Sequence, residues 1–145
     1  MMLILIQLLI GTVPLWVGYV LNAVLTVMPI PVAFISVLYL LLWMLLCYKS
    51  CVPQGNPLTQ AAYFCGFGFA MLLLVAYQTL IRKAMWISWF GLATQLYFLP
   101  GLLPAATVLS PFLKTTTMLP IFVTEMAILF LLALIGCNLK KKKTR

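Results

Sequence analysis

Residues 2–48 read MLILIQLLIGTVPLWVGYVLNAVLTVMPIPVAFISVLYLLLWMLLCY and contain no charged side chain. As one α-helix at ~1.5 Å per residue, this stretch would reach roughly 70 Å, more than twice the ~30 Å hydrocarbon core of a bilayer. It must therefore turn back on itself. Pro29 and Pro31 in Val27-Met28-Pro29-Ile30-Pro31 are paired breakers, because proline removes a backbone donor and disfavours helix in the residue before it. Two helices result, at residues 2–28 and 31–48.

The pattern continues outward from this stretch. Residues 49–60 are polar and carry Pro53, Gly55, Asn56 and Pro57, each a turn former for its own backbone reason. A third helix is predicted at about 58–81. Arg82-Lys83 then makes a tight connection to a fourth at 84–107, whose far end should be kinked by Pro100, Gly101 and Pro104. Residues 110–117 form the last loop, and a fifth helix occupies 118–139 before a lysine run. The fold class predicted is an all-α membrane protein, a bundle of five transmembrane helices. Residues 1–139 make a single transmembrane domain and 140–145 a basic tail.

Composition agrees. With 66% hydrophobic and 7% charged residues in 145, the chain cannot cover a soluble globule with polar side chains, so its main partner is the lipid bilayer. The net charge of +8 does not point to nucleic acid, because the basic residues sit at helix ends or in the tail, with no basic patch among aromatics. Five spans put the termini on opposite sides. On one side Lys140, Lys141, Lys142, Lys143, Arg145, Arg82 and Lys83 gather, and on the other Lys49 and Lys114. The positive-inside rule then predicts a cytoplasmic C-terminus and an outside N-terminus. These basic residues read as topology signals, with anionic headgroup binding as the alternative role. Trp86 and Trp89 fit an interfacial anchor. The first helix lacks a basic n-region and is as long as a full span, so it reads as a retained helix rather than a signal peptide.

The missing residue types exclude much chemistry. No histidine, no aspartate and a single glutamate rule out a Ser-His-Asp triad, a carboxylate pair and a histidine metal site within the chain. No phosphate-cradling glycine motif occurs. The expectation is a non-enzyme with no cofactor and no metal. Cys47, Cys51, Cys65 and Cys137 form no C-x-x-C pair, and five alternating spans would set Cys137 on the face opposite Cys47 and Cys51.

Glu125 is the one acidic residue, eight residues into the fifth helix and roughly 12 Å from its outer end. Its helical neighbours Met118, Ile121, Phe122, Ile128, Leu129 and Leu132 offer no partner. A carboxyl buried in hydrocarbon without a cation favours its protonated form, so Glu125 is expected to donate a hydrogen bond to another helix. Depth matching along an antiparallel fourth helix selects Gln95, Tyr97 and Thr94. Such a contact ties helices together, serves proton or ion movement, or binds a lipid or small ligand. On the third helix Ala62, Gly66 and Ala70 form a small-residue ridge for close helix packing.

Thr79-Leu80-Ile81-Arg82-Lys83-Ala84-Met85-Trp86-Ile87-Ser88-Trp89-Phe90-Gly91-Leu92, followed by Leu119-Pro120-Ile121-Phe122-Val123-Thr124-Glu125-Met126 and Gly136, resembles bacterial membrane proteins of domain-of-unknown-function family 4386. There a basic turn leads to a serine-tryptophan-glycine helix, and the last helix carries proline, glutamate and glycine in that order. The resemblance covers the last two helices. It implies a bacterial cytoplasmic membrane and a functional Glu125, and the family has no assigned activity. Lys142-Lys143-Thr144-Arg145 also resembles a dilysine retrieval signal, which would indicate the endoplasmic reticulum membrane in a eukaryote. Two functional expectations follow. One is an accessory or assembly subunit that packs through the ridge against itself or a membrane protein partner; the other is a proton- or ion-linked carrier or channel using Glu125.

Overall fold

The computed structural model describes residues 2–25, 31–82, 89–111 and 118–143. Its helices are α1 (Met2–Ile10), α2 (Val13–Leu25), α3 (Val32–Ser50), α4 (Pro57–Ala76), α5 (Trp89–Phe98), α6 (Leu102–Leu109) and α7 (Met118–Lys143). A π-helical segment, Tyr77–Arg82, prolongs α4. Four stretches are long and apolar enough to cross a bilayer: Ile4–Leu25, Val32–Ser50, Pro57–Ile81 and Met118–Lys143. Large apolar side chains such as Leu9, Trp16, Phe34, Leu73 and Leu131 are exposed on their outer faces. Only lipid accommodates such a surface, so the chain is a multi-pass membrane protein and the all-α bundle expected from the sequence is present.

Local chemistry explains where the helices bend and stop. The first crossing is interrupted between α1 and α2, where Pro14 has no N–H to return to Ile10 and the Thr12 amide and hydroxyl both donate to the Leu9 carbonyl, at 3.1 and 2.8 Å. After α3 the chain turns through residues 51–56. Asn56 accepts from the Leu58 amide at 3.1 Å, and Pro57 takes the first helical position, where a missing donor costs nothing.

The directions of the helices differ from strict alternation. On α3, the Trp43 indole donates to the Leu129 carbonyl of α7 at 3.0 Å. Further along both helices, Gly136 lies against the Met44 carbonyl and the Tyr48 amide; a Cβ there would come within 2.9 Å of the former. Beyond that, the Cys137 thiol hydrogen-bonds Cys51, and the Lys140 ammonium donates to the Lys49 carbonyl. Contacts that advance together along both chains mean that α3 and α7 run parallel.

Gln60, at the start of α4, ties the same end together. Its carbonyl accepts from Gln7 at 3.0 Å, from the Cys51 thiol at 3.0 Å and from the Val52 amide at 2.7 Å, and its own amide donates to the Val52 carbonyl at 2.9 Å. One end of the bundle, the tail end, therefore gathers the start of α1, the end of α3, the start of α4 and the end of α7. The far end holds the end of α2, the start of α3, the end of α4 and the start of α7.

Three expectations are corrected by this. The beginning of the first helix and the end of the last share one end of the bundle, and Cys137 sits beside Cys51 rather than opposite it. Lys49 likewise joins the tail end. The cause is the fourth helix expected at 84–107, which is two helices, α5 and α6, bent by 72° at residues 99–101. Pro100 has no N–H, and the Gly101 amide, which in a continuous helix would close on the Tyr97 carbonyl, points elsewhere. Since α4 ends and α7 begins at the far end, this pair enters the bundle and returns without crossing it.

The expected Pro29 turn, Lys83, Trp86 and Lys114 lie outside the described residues. Lys140, Lys141, Lys142 and Lys143, expected as a separate tail, continue the helix of α7.

The core that frames the re-entrant pair is aromatic: Trp43, Phe64, Tyr97 and Phe98 are fully buried. At Gly18 of α2 the Leu96 carbonyl of α5 occupies the place a Cβ would need, so only glycine lets these backbones meet.

Candidate functional site: a carboxyl at a helix break

Glu125 belongs to the buried stripe of α7, Ile121, Phe122, Glu125, Met126, Leu129 and Ala133, whose three- and four-residue spacing turns one helix face inward. Its side chain is 0% exposed. It lies ~10 Å along the axis from Met118 and ~18 Å from Cys137, close to the middle of the bundle.

The Gly101 amide donates to Glu125 Oε1 at 3.0 Å. Gly101 is also the residue whose carbonyl accepts the first bond of α6, from Ala105 at 3.1 Å. The carboxyl thus sits at the amino end of a short helix, where unpaired N–H groups and the helix dipole favour negative charge. Glycine is required at 101 by contact, since a Cβ would stand 2.7 Å from Glu125 Cδ. Pro104 falls within the first turn of α6, where its lack of an N–H removes no intrahelical bond.

The residues selected by depth matching behave differently from one another. Glu125 accepts from a backbone amide instead of donating to a side chain of the preceding helix, because the break at residues 99–101 brings that backbone to it. The Thr94 hydroxyl donates to the Gly91 carbonyl on its own helix at 2.7 Å. Gln95 lies on the exposed side of α5 and, with Leu99, Leu102, Met118 and Phe122, lines a cavity of about 340 Å³. Tyr97 is buried, as Thr94 is, and its hydroxyl fits the notch left by Gly68 of α4 next to the Met126 sulfur.

One participant escaped the sequence reading. Trp43 meets Leu129, so one turn back along two parallel helices Tyr39 stands level with Glu125. Tyr39 is 3% exposed, and Tyr97 and Glu125 are 0% exposed. The available signal was the spacing of Ser36, Tyr39, Trp43 and Cys47, one polar and aromatic stripe on a helix otherwise rich in leucine.

Among the described residues, Glu125 Oε2, the hydroxyls of Tyr39, Tyr97 and Ser36 and, away from this site, both side-chain polar atoms of Gln78 are buried without a hydrogen-bond partner. Buried polar atoms of this kind are costly in lipid-depth surroundings, so several at one level mark a place arranged for something other than packing. Aromatic rings wall the site. Phe98 stacks on Phe122 with centroids 4.7 Å apart, and Tyr97 meets Phe98 edge-on at 5.0 Å. Phe122 also forms part of the 340 Å³ cavity, one turn of α7 from Glu125.

The remaining sequence candidates fall away from this site. Gly66 packs on α1, where a Cβ would meet the Leu8 side chain at 3.0 Å, while Ala62 and Ala70 are exposed. The four cysteines are buried and unbridged, and no group of acidic, histidine or cysteine residues among the described residues is arranged to hold a metal ion. Compared with known protein families, curated proteins and solved structures, the chain finds no match.

Proposed function

We propose that this protein is an ion- or proton-linked carrier or channel in which Glu125 is the group that binds and releases the charge. One observation carries the reading: a fully buried carboxyl at mid-depth has one oxygen held by the Gly101 amide and the other without a partner among the described residues. A purely structural carboxyl would use both oxygens, since each unsatisfied one weakens the fold. A re-entrant helix pair broken beside an ionisable group is also how membrane proteins expose backbone at depth while keeping the rest of it hydrogen-bonded.

The reading requires no bond-breaking chemistry, so the protein is taken as a non-enzyme. Lys49 and Lys140 to Lys143 share the tail end, against Arg82 at the far end among the described residues. The positive-inside rule therefore favours a cytoplasmic tail end, which puts the start of α1 in the cytoplasm as well. The resemblance of the last two helices supports a bacterial cytoplasmic membrane, with the endoplasmic reticulum as the alternative.

Purified protein in proteoliposomes should carry protons or monovalent cations above the leak of empty vesicles, and Glu125→Gln should abolish that flux. Wild-type flux equal to empty vesicles, or flux unchanged by the substitution, would sink the reading. The accessory-subunit reading retains one support, the exposure of Ala62 and Ala70 on α4, which leaves part of the ridge open to a second membrane helix.

A further inference from the structure

Three buried oxygens stand at one level on three helices: Tyr39 Oη of α3, Tyr97 Oη of α5 and Glu125 Oε2 of α7, each without a hydrogen-bond partner among the described residues. Tyr39 reaches this level through the register set by Trp43 and Leu129, and Tyr97 through the Gly68 notch beside Met126. A tyrosine next to a carboxyl ordinarily donates to it. Neither does so here, so each of the three oxygens keeps an unused lone pair. A fourth oxygen is close in sequence, because the Gly101 amide turns to Glu125 and leaves the Tyr97 carbonyl without its helical donor.

We infer that these oxygens form a binding site for one dehydrated monovalent metal cation, of which sodium is the representative. The donor set is all oxygen, the preference of hard cations, and it holds no thiolate or imidazole that would select a softer metal. Charge decides the valence. A single carboxylate neutralises one positive charge, and a divalent ion at this depth would leave a net charge in a low-dielectric interior. Carbonyls at the unwound end of a broken helix are a recurrent part of such sites in membrane carriers. The inference rests on the preceding reading for the role of Glu125 and adds the identity of what it binds.

The test is thermal unfolding of the purified full chain in detergent, with sodium chloride replaced by potassium or choline chloride at constant ionic strength. Sodium should raise the midpoint in a saturable manner, and choline should not. Glu125→Gln should remove the response, whereas Tyr39→Phe and Tyr97→Phe should each weaken the apparent affinity about fivefold, as expected for one lost ligand. Thr107→Ala, on the exposed side of α6, should leave it unchanged. Acidification of the wild type must also weaken the sodium response by competition at Glu125. The titratable side chains around that position are Tyr39 from α3, Tyr97 from α5 and, beside the tyrosines, Cys65 from α4 and Cys47 from α3; α6 carries none. Sodium and potassium both no better than choline, a saturable response that survives Glu125→Gln or both tyrosine substitutions, or a response indifferent to pH would each overturn the inference. Proton flux without a sodium response leaves the carrier reading standing and removes this one. A sodium response without flux does the reverse.

Discussion

Gly101→Ala isolates the contact on which the helix break depends. The new Cβ would stand 2.7 Å from Glu125 Cδ and 2.8 Å from Cγ, where carbon atoms are comfortable at ~3.5–4.0 Å, so about 1 Å of movement is needed. Glu125 is fully buried and Gly101 is pinned between Pro100 and α6, which leaves little room to yield. Overpacking of this kind costs about 1–3 kcal/mol. Loss of the 3.0 Å amide bond adds about 1 kcal/mol. Against this, alanine gains roughly 0.4–1 kcal/mol from a less free unfolded chain, since φ of −105° at Gly101 suits any residue. The net expectation is a destabilisation of about 1–3 kcal/mol.

Reversible unfolding in mixed micelles, followed by tryptophan fluorescence, would measure it. Gly66→Ala is the matched control: its Cβ meets only the tip of Leu8 at 3.0 Å and should cost under about 0.5 kcal/mol. In a Glu125→Ala background the clash disappears, so the cost of Gly101→Ala should shrink by at least about 1 kcal/mol. Equal effects at Gly101 and Gly66, or a cost at Gly101 that persists when Glu125 is truncated, would refute the contact.

Two further outcomes follow from the arrangement of helices. Single cysteines placed at Lys49 and Lys141, with the native thiols replaced by serine, should react with an impermeant reagent from the same face of the membrane; labelling from opposite faces would contradict the parallel course of α3 and α7. Gln60→Leu removes a side chain that makes four hydrogen bonds joining α1, α4 and the chain after α3, and should lower stability by roughly 1–3 kcal/mol in the same unfolding assay, while Gln54→Leu, exposed in the adjoining turn, should not.

Much of this molecule was legible one residue at a time. Apolar runs between prolines and basic residues determined that the chain lives in lipid, that it is helical, and about where each helix begins, because hydrocarbon leaves backbone polar groups no solvent partner and length alone then limits the segments. Glu125 stood out equally, since it is the one carboxyl in such a run. What it touches did not. Depth matching assumed an unbroken fourth helix, and with that assumption it offered side chains of α5 where the actual donor is the backbone of Gly101.

Only the tertiary structure decided whether residues 84–107 cross or return. An apolar stretch with Pro100 and Gly101 reads the same in either case, because local propensity marks a break without stating the direction taken after it. That direction comes from long-range contacts: Trp43 with Leu129, Gly18 with Leu96, Gln60 with Gln7 and Cys51. Those contacts bring the start of α1 and the end of α7 to one end of the bundle, and they set Tyr39 level with Glu125, a juxtaposition of residues far apart in the chain that no periodicity encodes.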